Sequence, residues 1–160
     1  MSYPPFIKSR QHKLVIGDGS GDIGGLTSGN FVAFASSYFT AQLSNSQVGD
    51  TVVLQWSCST TNTSAHKNLF AVSINGNAPA PTDSSLVIYR DTVAVVNENI
   101  HCSAMWAHEL SSSDIDVNGK TSYEIYYRTT GGTMTIANSA SGAPTIPRLL
   151  LANIGPQDTT

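Results

Sequence analysis

The sequence predicts an all-β chain, a two-sheet antiparallel sandwich or jelly roll with an extended N-terminal arm. Three observations lead there. Short runs rich in Val, Ile, Phe, Tyr and Trp recur along the chain, several with in–out alternation. Clusters of Gly, Pro, Asn, Asp and Ser separate them at turn spacing. Ser and Thr make up roughly a quarter of the residues, and both compete with the backbone in helix interiors while suiting strands and turns. No segment keeps a helical period for long. The stretch after Ala104 comes nearest, and Ser111, Ser112 and Ser113 end it.

Residues 1–29 read as the arm and residues 30–160 as the sandwich domain. Pro4-Pro5 and the glycines between Gly17 and Gly29 disfavour regular structure over most of the arm, while His12–Ile16 has the composition of one short strand. Phe31–Phe34 begins the sandwich, and Tyr38–Leu43 continues it past a bend at Ser36-Ser37. Gly49-Asp50 turns the chain into Thr51–Trp56, where alternation puts Val52, Leu54, Trp56 and Cys58 on one face. Residues 59–67 read as a polar loop. Asn68–Asn75 is the next strand, with Phe70, Val72 and Ile74 together, and Asn75-Gly76-Asn77 turns the chain. Pro79 and Pro81 keep residues 78–85 out of a sheet centre. Leu86–Val96 supplies one bent strand or two short ones. Asn99–Glu109 is a strand with Ile100, Cys102, Ala104, Trp106 and His108 on one face, and a loop runs from Ser111 to Ser122. The stretch SYEIYYRTTGGTMTIANS, residues 122–139, reads as two strands folded back on each other about Thr-Thr-Gly-Gly. A last strand spans about Ile146–Ile154, and no internal repeat is present.

Charge narrows the function. Charged residues are 12% of the chain, against about 25% in ordinary globular proteins. A net charge of −3 speaks against a nucleic-acid surface, which requires a basic face. Lys8, Arg10 and Lys13 are three of eight basic residues and cluster near the N-terminus with His12. They form either a solvated tail or an arm that docks on an acidic surface. No run approaches the roughly 18 apolar residues of a membrane span, and no secretory signal is expected. Cys58 and Cys102 are expected reduced and buried, with a disulfide as the alternative. Asn62-Thr63-Ser64 matches a glycosylation acceptor, a triplet that arises by chance in so Asn-, Ser- and Thr-rich a chain.

The motifs that would carry chemistry fall short. Gly19, Gly21 and Gly24 match G-x-G-x-x-G, but a dinucleotide site needs the third glycine to open a helix. Gly25-Leu-Thr-Ser-Gly-Asn is poor helix material. Asp18, Ser20 and Asp22 alternate as a calcium loop begins, yet Ile23 and Gly29 stand where a turn glycine and a bidentate Glu are required. His101, Cys102, His108 and Glu109 divide between the two faces of one strand, without metal-ligand spacing. There is no Gly-x-Ser-x-Gly elbow. The chain is therefore read as a non-enzyme with no cofactor. Glu124, Tyr126 and Arg128 share the face opposite Tyr123, Ile125 and Tyr127; that face is either solvent-exposed or a subunit contact, where Tyr and Arg are enriched.

The stretch SYEIYYRTTGGTMTI, followed by Arg148-Leu-Leu-Leu-Ala-Asn-Ile and preceded by Ile100-His-Cys-Ser-Ala-Met-Trp, resembles the C-terminal part of β-sandwich domains in tailed-phage virion proteins. The resemblance covers about residues 86–154 and is one of pattern; the Glu-Ile ending familiar in that family is replaced here by Asn153-Ile154. That family includes tail-fibre knobs, head fibres and capsid-decoration (cement) proteins, many of them trimers with a jelly-roll or TNF-like shape. The resemblance implies a homo-trimer at the capsid surface of a virion, assembled in the host cytoplasm, with the major capsid protein as partner. In this reading Tyr3, Phe6, Ile7, Lys8, Arg10 and Lys13 bind the shell, and Glu124, Tyr126 and Arg128 are a candidate subunit interface. Deleting residues 1–29 would then leave a folded sandwich that no longer attaches. The alternative is a receptor-binding knob that reads host-surface glycans through residues 59–67 and 111–121. A third reading, a carbohydrate-binding module, would use Trp56 and Trp106, both of which sit in register with core residues.

Overall fold

The computed structural model describes residues 11–34, 37–65, 67–80, 85–92, 95–138 and 146–156. Among them are eleven strands and two 3₁₀ turns, Ser37–Phe39 and Ser112–Asp114. One sheet holds β1 (His12–Ile16), β2 (Ile23–Leu26), β5 (Asp50–Asn62), β8 (Ile100–Glu109), β10 (Met134–Ile136) and β11 (Arg148–Pro156). The other holds β3 (Val32–Ala33), β4 (Thr40–Leu43), β6 (Lys67–Ile74), β7 (Val87–Thr92) and β9 (Thr121–Thr129).

Every pairing is antiparallel, and two strands act as axes. In the first sheet β5 pairs with β8 from Thr51↔Glu109 to Thr60↔Ile100. Its other edge is shared by β11, which covers Asp50 to Ser57, and β10, which covers Thr60 to Asn62. β1 extends β11 and β2 extends β10. In the second sheet β9 pairs with β6 on one side and with β3 and β4 end to end on the other; β7 lies beyond β6. Each sheet is thus four strand positions wide. The chain repeatedly crosses between the sheets, which is jelly-roll topology.

The alternation read from the sequence decides what lies between the sheets. Val52, Leu54, Trp56 and Cys58 from β5, Phe70 and Val72 from β6, Tyr123 and Ile125 from β9, and Leu149 and Leu151 from β11 are all fully buried. Trp56 packs its ring 4.4 Å from that of Phe70, and Phe34 stacks 4.0 Å from Phe39. Each large side chain so buried contributes about 1.5–3 kcal/mol. At the end of β6, Asn75 and Gly76 both take positive φ, 52° and 77°, as a tight hairpin turn requires.

Four expectations are corrected. The arm expected over residues 1–29 belongs to the sandwich from Gln11 onward. His12–Ile16 does form a strand, but it is hydrogen-bonded along β11, and Ile23–Leu26 adds a second strand on β10. The loop expected at residues 59–67 starts only after Asn62, because Ser59, Thr60 and Asn62 are buried at the end of β5. The two strands of residues 122–139 do not form a hairpin. β9 pairs with β6, whereas β10 crosses to the other sheet and pairs with β5. Finally, the bend after Phe34 contains a 3₁₀ turn that seats Phe39 in the core.

Candidate interaction surface

The outer face of the first sheet is a broad surface with little charge. Its inward positions are taken by Leu149, Leu151, Leu54 and Trp56, so the alternate residues of each strand project away from the core. Register then builds rows across four strands. Leu14, Leu150, Gln55 and Met105 form one row; His12, Ala152, Val53 and Ala107 the next; Ile16, Arg148, Ser57 and Ser103 a third. Leu14 is 52% exposed, Ile16 46% and Met105 77%. The fixed charges here are Arg148 at one end and Glu109 at the other, with His12 and His101 at the margins. Single exposed apolar side chains are ordinary, but a contiguous band of them makes this face a candidate interaction surface.

The second sheet closes its own outer face. Phe31, Leu69, Ala71 and Tyr126 bury one another there, with Val87 alongside. Tyr126 is only 8% exposed. It therefore serves an intramolecular cluster instead of standing free between Glu124 and Arg128, which are half-buried on the same face. Burial raises the Glu124 carboxyl above its ordinary range, against a hydrogen bond from Thr40. Lys13 projects on the side of β1 opposite Leu14, at the exposed margin beside the Leu151 register position. Tyr3, Phe6, Ile7, Lys8 and Arg10 lie outside the described residues.

The polar motifs have structural duties. Asp18 accepts hydrogen bonds from the Ser20 backbone and from Asn138 Nδ2 at 2.9 and 3.1 Å, and Asp22 accepts one from the Asn138 backbone at 3.0 Å. These pin residues 17–22 to the end of β10. A hydrogen bond from Tyr38, with others from Ser20 and Asn138, holds the Asp18 carboxyl well below the usual carboxylate range, against the effect of burial. His101 and Glu109 face outward, Cys102 and His108 inward, and among the described residues no group of three or more His, Cys, Asp or Glu is placed to hold a metal ion. Asn62 of the glycosylation triplet is 1% exposed and donates to Asn68 Oδ1 at 2.9 Å and Thr129 Oγ1 at 3.2 Å. Trp56 is fully buried, and Trp106 is half-buried, stacked on His108 with 5.2 Å between ring centroids. Trp56 therefore offers no ring face to a sugar, and His108 covers one face of Trp106.

The loop after β8 is latched rather than loose. His108 Nε2 meets Asp114 Oδ2 at 3.1 Å, and the same carboxylate accepts from the Ser111 backbone at 2.8 Å and from the Ser111 hydroxyl. Asp116 Oδ1 accepts from the backbones of Asn118 and Lys120, both at 2.8 Å. Val117 at its tip is fully exposed. Sequence reading missed the outer face because its residues come from four strands distant in the chain. The signal available was the apolar His12–Ile16 run inside a Gly-rich segment.

No protein-family model matches the chain, and no curated protein sequence matches it. Among solved structures the fold is similar to Eiger TNF from S. frugiperda, with a TM-score of 0.54 and 8% identity over 96% of this chain and 98% of that one. Looser superpositions include infectious bursal disease virus, Gx strain (TM-score 0.37, 9% identity, 95% of this chain and 41% of that one). The tailspike protein 4 enzymatically active domain of bacteriophage CBA120 also superposes loosely (TM-score 0.28, 13% identity, 82% and 19%). At these identities the likeness is one of fold alone: the chain is a β-sandwich of jelly-roll type.

Proposed function

We propose that this chain is a structural virion protein, a capsid-decoration protein of a tailed phage that self-associates, as a homo-trimer, and binds the major capsid protein at the shell surface. The observation that carries the self-association is the charge-poor outer face of the first sheet, with Leu14, Ile16 and Met105 exposed on it. Burial of that face would contribute about 25 cal/mol per Å² of apolar area, set against the costs of association. The phage assignment rests on the sequence pattern of residues 86–154, and attachment to the shell rests on Tyr3, Phe6, Ile7, Lys8, Arg10 and Lys13. Repetition over a symmetric shell multiplies a weak single contact.

Copy number in purified particles tests the assignment, measured against the major shell protein by quantitative mass spectrometry. Numbers comparable to the shell protein support decoration. A few copies per particle would instead favour the receptor-binding knob, and absence from particles overturns the virion reading. Removal of residues 1–10 alone separates attachment from folding, since β1 stays intact. A shortened protein that still decorates shells at full occupancy rules out the arm as the attachment element.

A further inference from the structure

β5 and β8 bring the two cysteines of the chain together. Cys58 and Cys102 stand directly opposite each other in the antiparallel register. Both are wholly buried in the main core, and both are free thiols. Directly opposed residues of such a pair lie about 4.5–5.5 Å apart at Cα, inside the roughly 4.4–6.8 Å that a disulfide spans. The two side chains project from the same sheet face, and their thiols hydrogen-bond to each other. The Thr60 hydroxyl lies 3.8 Å from Cys102 Sγ. Among the described strands β8 pairs with β5 alone, so Cys102 sits on a strand with a free edge.

We infer that Cys58 and Cys102 form a dithiol–disulfide couple that closes across β5 and β8 when opening of the edge strand or refolding brings the thiols to an oxidising low-molecular-weight disulfide. Cys102 is the entering group, because it stands on the edge strand β8 while Cys58 stands on β5, the axis of the sheet. Its hydrogen bond with Cys58, aided by the Thr60 and Tyr89 hydroxyls, draws its thiol below the ordinary range despite burial, whereas burial pushes Cys58 well above it. Cys102 gives up its proton, and its thiolate attacks one sulfur of the small disulfide. A mixed disulfide forms and one small thiolate leaves. Cys58, deprotonated in turn, attacks Cys102 Sγ, forms the cross-strand S–S bond and expels the second small thiolate. The two released thiolates take up the two protons, so two protein thiols are oxidised and one small disulfide is reduced.

The bond would staple an edge strand to the axis of the sheet. β8 carries Met105 and Ala107 of the outer face, so closure also fixes that surface. Closing the long loop between the cysteines raises the melting temperature by about 10 °C.

The test uses the full chain, reduced and then incubated with oxidised glutathione, both when folded and while refolding from urea. Refolding exposes both thiols to the oxidant whatever their burial in the native state. The expected product has lost two hydrogens by intact mass and offers no thiol to an alkylating agent after denaturation. Its tryptic map contains a peptide pair linked through Cys58 and Cys102. It melts higher than the reduced protein, and dithiothreitol reverses the change. C58S and C102S each abolish closure and the shift. Three results overturn the inference: two fully alkylatable thiols after refolding with the oxidant, a stable glutathione adduct on either cysteine, or disulfide-linked pairs of chains. The wild-type readings stand even if a serine variant fails to fold.

Discussion

Met105→Glu places a carboxylate in the middle of the proposed self-association face. Met105 is 77% exposed in the single chain, so its replacement changes the stability of one subunit by no more than about 0.5 kcal/mol. In the assembly the same side chain is covered, and its burial contributes about 1.5–3 kcal/mol. Glu forfeits that contribution. It also faces Gln55 and Leu150 along the cross-strand row, with no cation in the row, and an unsatisfied polar group costs roughly 1–3 kcal/mol more. Together these weaken each contact by at least about 2.5 kcal/mol, roughly sixtyfold or more in association constant. Sedimentation velocity across a concentration series reads the shift, with circular dichroism and urea unfolding confirming the fold. Val117→Glu, at a fully exposed loop tip, is the control and associates as the wild type does. A Met105→Glu protein that is folded and assembles at the wild-type concentration refutes the assignment of this face.

Truncation and pH probe other parts of the molecule. Removing residues 1–10 leaves urea stability within about 1 kcal/mol of the full chain, because no described strand is lost. Removing residues 1–29 strips β1 and β2, uncovers the edges of β11 and β10 and takes Leu26 out of the core. The product is expected to be largely unfolded or aggregated, since domains hold only about 5–15 kcal/mol in total; a truncated protein that unfolds at the wild-type urea midpoint contradicts this. For Asp114, burial acts to raise the carboxyl pKa, but hydrogen bonds from Ser111 and His108 prevail and the net direction is down. A depressed carboxylate stabilises the fold above its unfolded value of about 4 and loses that contribution as pH falls through the lower folded value. Asp114→Asn should therefore cost about 1 kcal/mol at neutral pH and flatten the acid limb of the stability curve between pH 4 and lower values. An unchanged acid limb in urea titrations would show that the latch to Ser111 and His108 carries no stability.

Several features of this fold were legible in the chain. The inward face of β5 follows from two-residue alternation, and Val52, Leu54, Trp56 and Cys58 are all fully buried; in β6 the opposite face is buried as well, and in β8 only Cys102 of the assigned face is buried, the rest being half-buried. Asn75-Gly76 marks a real turn for the reason the dipeptide predicts, positive φ at both residues. The misassignments share a different origin. Alternation identifies which side of a strand is apolar but says nothing about which strand lies beside it. Thr-Thr-Gly-Gly between β9 and β10 looks like a hairpin turn, yet the chain there passes from one sheet to the other. Tyr126 has the pattern of an exposed aromatic and is covered by Leu69 from β6 and by Phe31 from the segment just before β3.

The all-β class, the alternating core faces, the turn dipeptides and the scarcity of charge are written in the chain alone. Each is local, set by φ/ψ preference, side-chain period or composition within a few residues. Strand pairing in the folded molecule is what brings β1 and β2 into the sandwich and makes Leu14, Leu150 and Met105 one surface. The same pairing sets Cys58 opposite Cys102. Those facts depend on hydrogen-bond pairing between strands far apart in the chain. The pairing is selected by the free energy of closing the whole sandwich, a quantity that no single segment carries.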